Sequence, residues 1–348
     1  MKTVLKILLS IVLVVILAVG GFVGYASITE YRPADVEDVD VVANVNAKFD
    51  KQTATFLTMN VGYCALGEES DFFMDGGKEV RPKSKDTILK NYDGIKNIVI
   101  STDADFTLMQ EVDFDSKRSY RVDEVASLRS DVQKTSVFAY NYRSDYVPYP
   151  WPTIGRVRSG LLTFSSYNVS SASRVNLPCP FKWPVSLFNL KRGLLLSRVP
   201  MANGKELVVI NLHLEAYDDG EGKIAQTKLL MSVLQAEYQK GNYVVAGGDF
   251  NQVFPGTLSV YPNTHPDLWS VGALSEMTDG WQYAFDQSLP TCRLLNQPYD
   301  PTDTVNTQYY VIDGYVVSPN LTIEQVQTLD AGFQYTDHNP VKLTVRFN

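Results

Sequence analysis

Five times along this chain an apolar run stops and a carboxylate, an amide or an imidazole follows at once. Residues 56–59 lead into Asn60, and 106–109 into Gln110 and Glu111. Residues 208–210 lead into Asn211 and His213, 244–246 through two glycines into Asp249 and Asn251, and 309–312 into Asp313. A sixth polar group, Asp337-His338, stands just before the last apolar run. Short runs rich in β-branched and aromatic residues read as strands. Strand ends hold side chains rigidly at a sheet edge, so this set is a candidate site.

Helical spacing separates the strands. Ile88, Leu89, Tyr92, Ile95, Ile98 and Val99 recur on one face, as do Ile224, Leu229, Leu230, Val233 and Leu234. A further helix is expected at 117–128. Asn203-Gly204 joins the runs 194–198 and 207–214 as a hairpin turn. The expectation is an α/β domain over 53–348, with two packed sheets covered by helices and no internal boundary.

The N-terminus carries Lys2 and Lys6, and then no charged residue over the 22 positions 7–28. A bilayer core needs about 20 apolar residues in a helix, whereas a cleaved signal peptide needs only about 7–15. Residues 1–30 therefore read as an uncleaved signal anchor contacting the bilayer through 7–28. The alternative is secretion after cleavage near Ala26. The positive-inside rule leaves the lysines in the cytoplasm and the rest of the chain outside. Residues 31–52 read as a connector, either a tether or an edge strand.

The site set is chemically coherent. Several carboxylates with amide oxygens form a hard-oxygen environment, which selects Mg²⁺ or Mn²⁺ over zinc, with Ca²⁺ behind them. Mg²⁺ keeps only one or two protein carboxylates, so some acids stay free to activate water or orient a histidine. Only three histidines occur, and two of them, His213 and His338, fall in these motifs, while His265 reads as structural. The three cysteines match no zinc spacing and read as buried thiols. The net charge of -8 gives no overall field toward nucleic acid.

The pieces Met59-Asn60, Gln110-Glu111-Val112, Asn211-Leu212-His213-Leu214, Gly248-Asp249-Phe250-Asn251, Ile312-Asp313 and Thr336-Asp337-His338-Asn339-Pro340 resemble, in order, the motifs of the endonuclease/exonuclease/phosphatase superfamily. The resemblance implies a four-layer αββα sandwich of the DNase I-like kind and metal-dependent phosphoester hydrolysis. It implies that Glu111, helped by Asn60, binds the metal, and that Asp337 completes the shell or a second metal site. Asp249 then orients or activates water and Asn251 holds the phosphate. His213 and His338 donate to the phosphate or act as acid and base, and Asp313 fixes His338. In such proteins a residue after the third strand often faces the phosphate, a place open here to Asn141, Tyr142 or Arg143.

Residues 140–152 are rich in aromatics and proline and read as a substrate wall or a self-packed loop. Arg156, Arg158, Lys182, Lys191 and Arg192 read as a phosphate-attracting strip or a solvated face. Residues 67–77 read as a surface loop that rims the site or meets the bilayer. The expected function is an extracytoplasmic phosphodiesterase of small or lipid-headgroup substrates. The alternatives are a surface nuclease, with nucleic acid only as substrate, and an inactive binding module. No obligate protein partner is implied.

Overall fold

In the computed structural model, the residues described are 1–348 except 219, 270 and 304. The apolar runs are unbroken because the strands they form are buried on both faces. Among the described residues, fourteen strands make two seven-stranded sheets. They are β1 (Val36–Val39), β2 (Val41–Val42), β3 (Thr53–Asn60), β4 (Phe106–Asp113), β5 (Thr135–Val147), β6 (Gly155–Ser165) and β7 (Ser171–Asn176). The rest are β8 (Gly193–Pro200), β9 (Glu206–His213), β10 (Tyr243–Asp249), β11 (Gln282–Ala284), β12 (Asp313–Val317), β13 (Leu321–Thr328) and β14 (Val341–Phe347). One sheet runs β13-β14-β3-β4-β6-β5-β2 and the other β1-β7-β8-β9-β10-β12-β11. The α-helices among the described residues are α1 (Lys2–Thr29), α2 (Lys85–Thr102), α3 (Glu124–Val132) and α4 (Glu221–Gln239).

Strand alternation divides the core. Phe56, Phe106, Leu108, Val209, Val245 and Leu343 pack between the sheets. Leu57, Met59 and Met109 turn to the other face and meet Ile88, Ile95 and Val99 of α2 and Leu128 of α3. Val208, Ile210 and Val244 meet Leu230 and Leu234 of α4. Each fully buried Leu or Val contributes about 1.5–3 kcal/mol relative to exposure. The result is the helix–sheet–sheet–helix sandwich expected from the motifs.

Two motif residues tie the sheets together rather than serving the site. Gln110 Nε2 donates to Thr58 Oγ1 (3.1 Å) and Asn211 Oδ1 (2.8 Å). Asn211 Nδ2 donates to the carbonyls of Met109 (3.1 Å) and Leu162 (3.2 Å). Both side chains are fully buried.

Other expectations shift. The third helix begins after its N-cap Asp123, whose carboxylate accepts from Ala126 N. The connector follows its edge-strand reading rather than a free tether: β1 pairs with β7 and β2 with β5, each at the edge of its sheet, and Phe49 lies in the inter-sheet core. Cys179 is exposed, while Cys64 and Cys292 are buried.

Helix α4 is fastened to β8 by ionic hydrogen bonds. Arg198 donates to both oxygens of Glu237 (2.7 and 2.9 Å), Lys240 to Oε1 (2.7 Å) and Asn242 to Oε2 (3.1 Å). Burial opposes ionisation of Glu237, but these donors outweigh it and hold the carboxyl at about 2. A lowered carboxyl stabilises the fold above its unfolded value of 4.5 and loses that contribution as pH falls toward 2. E237Q is therefore expected to cost about 2 kcal/mol at pH 7. Urea unfolding in detergent should show the gap from wild type closing between pH 4.5 and pH 2; a gap that does not change with pH would contradict it.

Candidate active site

The parallel pair β9–β10 sets His213 beside Asp249, and the antiparallel pair β10–β12 sets Asp249 beside Asp313. In the other sheet β3 and β4 run parallel, with Asn60 beside Gln110. The same edge of both sheets thus borders one cleft of about 350 Å³, within the range of ligand sites.

Local backbone aims the side chains. Glu111 sits in a bulge where β4 slips against β6 between Met109 and Val112. Its φ of 57° is left-handed, and the bulge turns its carboxylate to the cleft. Gly248, at φ 153°, lets the strand approach Leu212, because a Cβ there would lie 1.9 Å from its carbonyl oxygen. Asp249 follows directly.

Asp249 is the hub. Its Oδ2 accepts from Asn60 Nδ2 at 3.0 Å and lies 3.5 Å from His213 Nε2 and 3.9 Å from His338 Nε2. Its Oδ1 accepts from Asn251 N at 2.8 Å. Asn60 Nδ2 also donates to Glu111 Oε1 (3.2 Å), while Asn60 Oδ1 accepts from Gly62 N. Asn60 thus orients two carboxylates through its nitrogen. His338 Nδ1 donates to Asp313 Oδ2 at 2.8 Å, leaving Nε2 near Asp249 and, at 3.8 Å, Asp337 Oδ2. Asn251 Nδ2 donates to Leu214 O.

The electrostatics are those of a cation site. Burial pushes the Asp249 carboxyl up to about 7, helped by the charge of Asp313. Burial also raises Asp337, with Glu111 adding to it. Asp313 Oδ1 is buried without a hydrogen-bond partner. Ligand atoms of Asp249, Asp313 and His338 converge within 4.8 Å, as do those of Cys292, Asp337 and His338. A dry cluster of acids whose ionisation is opposed is the environment that a bound cation relieves. The histidines diverge. Burial and Arg192 hold His213 well below its usual value; at His338 burial acts the same way, but Asp313, Cys292 and Asp337 outweigh it and hold the ring well above.

Of the expected residues, Asn60, Glu111, His213, Asp249, Asn251, Asp337, His338, Asn141 and Tyr142 line the cleft. Asp313 stands behind His338. A bulge in β5 between Tyr140 and Tyr142 brings both Asn141 and Tyr142 to the wall. Asn141 Oδ1 accepts from Gly193 N, and its Nδ2 is buried without a partner. Tyr142 donates its hydroxyl to Phe188 O. Arg143 departs from the expectation: it lies outside this cleft, over the rings of Tyr31 and Tyr140 near the end of α1, because the next strand residue faces the other way.

The basic strip does not form. Arg156 pairs with Asp115, Arg158 with Asp145 and Lys191 with Glu30; only Arg192 of the group lines the cleft. Sequence reasoning missed Arg118, which is buried against Asp113 and lies 3.6 Å over the Tyr63 ring in the cleft wall. It also missed the Tyr217–Asp75 hydrogen bond (2.9 Å) and Cys292. These come from separate loops, and no spacing signals them.

Two sheets that bring acids, amides and imidazoles to one shared edge make a metal-dependent phosphoester hydrolase fold. The family model for the endonuclease/exonuclease/phosphatase family matches residues 57–338, and the chain belongs to that family. Among solved structures, an endonuclease/exonuclease/phosphatase from Beutenbergia cavernae is similar at TM-score 0.60 and 14% identity, covering 86% of this chain and 72% of that one. A Bacteroides vulgatus member gives 0.54 at 14% identity over 86% of this chain and 100% of that one. The catalytic domain of human Nocturnin, solved with a sulfate anion, gives 0.52 at 14% identity over 89% and 97%. At that identity the likeness is one of fold. No curated protein sequence matches.

Proposed function

We propose that this chain is a membrane-anchored, extracytoplasmic phosphodiesterase acting on small phosphodiesters or lipid headgroups, with Mg²⁺ as its metal. The observation that carries the hydrolytic reading is the convergence of Glu111, Asp249 and Asp337 with His213 and His338 in one cleft. Glu111 and Asp337 would hold the metal, with Asp249 adjacent; such hard oxygens suit Mg²⁺ or Mn²⁺. When bound, the metal supplies Lewis-acid stabilisation of charge on the phosphoryl oxygens.

The remaining work belongs to the side chains. Asp249, held by Asn60 and the Asn251 amide, would orient the attacking water and take its proton through Oδ2. His338, fixed by Asp313, would donate to the phosphate through Nε2. His213 would act from the opposite side of Asp249, and Asn251 and Asn141 would receive phosphate oxygens with their amides.

Anchoring is supported by α1, charge-free over 7–28 with Lys2 and Lys6 at its start. Its last turns pack on the domain: Phe22 stacks on Phe188 at 5.7 Å and Ala26 is buried, which favours retention over cleavage there. The paired arginines favour a small substrate over a long polynucleotide, which would need a continuous cationic groove.

The test is substrate sorting by the full chain in detergent with Mg²⁺. Bis-p-nitrophenyl phosphate and phospholipid headgroups should turn over faster than p-nitrophenyl phosphate or plasmid DNA. Plasmid cleavage as the dominant activity would replace this reading with the nuclease.

A further inference from the structure

The mouth of the cleft is apolar. Phe72, Met74, Ile154 and Phe181 line it. The two loops supplying Ile154 and Phe181 also carry bare aromatic tips. Trp151 is 90% exposed, Tyr149 71% and Trp183 64%, while the other two tryptophans, Trp269 and Trp281, are buried. Three exposed aromatics clustered on neighbouring loops mark an interaction surface, and Trp and Tyr are enriched where a protein meets the membrane–water interface.

Their position relative to α1 says which surface they meet. Trp183 Nε1 donates to Ser27 Oγ at 3.2 Å, and Phe22 packs edge-on against Tyr146 at 6.0 Å. The last turns of α1 thus lie against the loops that carry the tips. The free, charge-free part of α1, residues 7–21, spans about 22 Å at 1.5 Å per residue, short of the ~30 Å hydrocarbon core. The bilayer therefore has to reach the turns from Phe22 onward, and the loops beside them then sit in the headgroup layer. Exposed Lys182, next to Trp183, suits contact with lipid phosphate.

We propose that the rim of Tyr149, Trp151, Trp183 and Val185 beds into the leaflet where α1 ends, so that the cleft opens onto headgroups and takes as substrate a phosphodiester carried by a lipid of that leaflet. This rests on reading α1 as an anchor and the cleft as hydrolytic. In the reaction a water oxygen bonds to phosphorus, one ester P–O bond breaks, and the leaving oxygen takes a proton. The products are a phosphate monoester and an alcohol.

The full chain in phosphatidylcholine vesicles with a minor share of phosphatidylglycerol tests it. Brominated acyl chains should quench tryptophan emission in the wild type and leave the emission of a W151F/W183F variant, from buried Trp269 and Trp281, unchanged. A W151S/W183S variant should hydrolyse vesicle lipid at least about tenfold more slowly, since two buried aromatic anchors account for that or more. Its turnover of soluble bis-p-nitrophenyl phosphate should match the wild type. Equal wild-type emission in brominated and plain vesicles, or unchanged lipid turnover in the serine variant, overturns the proposal. If the wild type leaves the soluble diester intact, the hydrolytic reading fails, and quenching still decides whether the rim is embedded.

Discussion

D249N is expected to lower kcat by about 10³-fold or more, the range for a lost proton-transfer group at a charged centre. Asp249 contacts Asn60, the Asn251 amide and the vicinity of both histidines, so no other acid in the cleft can replace it. The amide is nearly isosteric, and the strand that carries it stays buried between β9 and β12. A second signature separates this from misfolding. The folded carboxyl is raised from 3.8 to about 7, so its ionised form destabilises the metal-free protein. That stability should fall as pH rises through this window and then level off. In EDTA at pH 8, D249N should therefore melt above the wild type. A variant that is inactive and also melts lower would mean that the substitution damaged the fold.

E111Q is expected to weaken Mg²⁺ binding about 10²-fold, with activity at limiting metal falling in step. Glu111 is the acid turned into the cleft by the left-handed bulge, and it is held there by Asn60 at 3.2 Å. Neutralising it removes a hard anionic ligand while keeping the Asn60 contact. Two measurements check it. The rise in melting temperature with added Mg²⁺, which reports binding to the native state, should shrink. High Mg²⁺ should restore part of the rate. Wild-type metal affinity in the variant would place the metal elsewhere.

Much of the architecture was legible because burial on both faces writes strands as unbroken apolar runs. Residues 208–210 and 244–246 are such strands, and Asn203-Gly204 is the turn between β8 and β9. The edge strand β13 was not legible, since its exposed face alternates polar residues with apolar ones and no long run forms. At the site, residues at strand ends were readable because strand and polar cap are contiguous in sequence. Arg118, Tyr63, Asp75 and Tyr217 were not, because their meeting depends on loop paths that no local pattern encodes. Gln110 and Asn211 share motifs with site residues, yet alternation sends them between the sheets, where they close a buried hydrogen-bond network. Arg143 shows the same limit: one step along β5 separates the cleft wall from the face beside α1.

In the proposed function, acids and imidazoles at the shared sheet edge form one metal-dependent hydrolytic centre. The most direct measurement is bis-p-nitrophenyl phosphate hydrolysis by the full chain, first with Mg²⁺, then after EDTA, then with Mg²⁺ restored, with D249N run alongside. Turnover should be abolished by EDTA, restored by Mg²⁺ and absent from D249N throughout. Turnover that persists in EDTA, or that D249N retains, would contradict it.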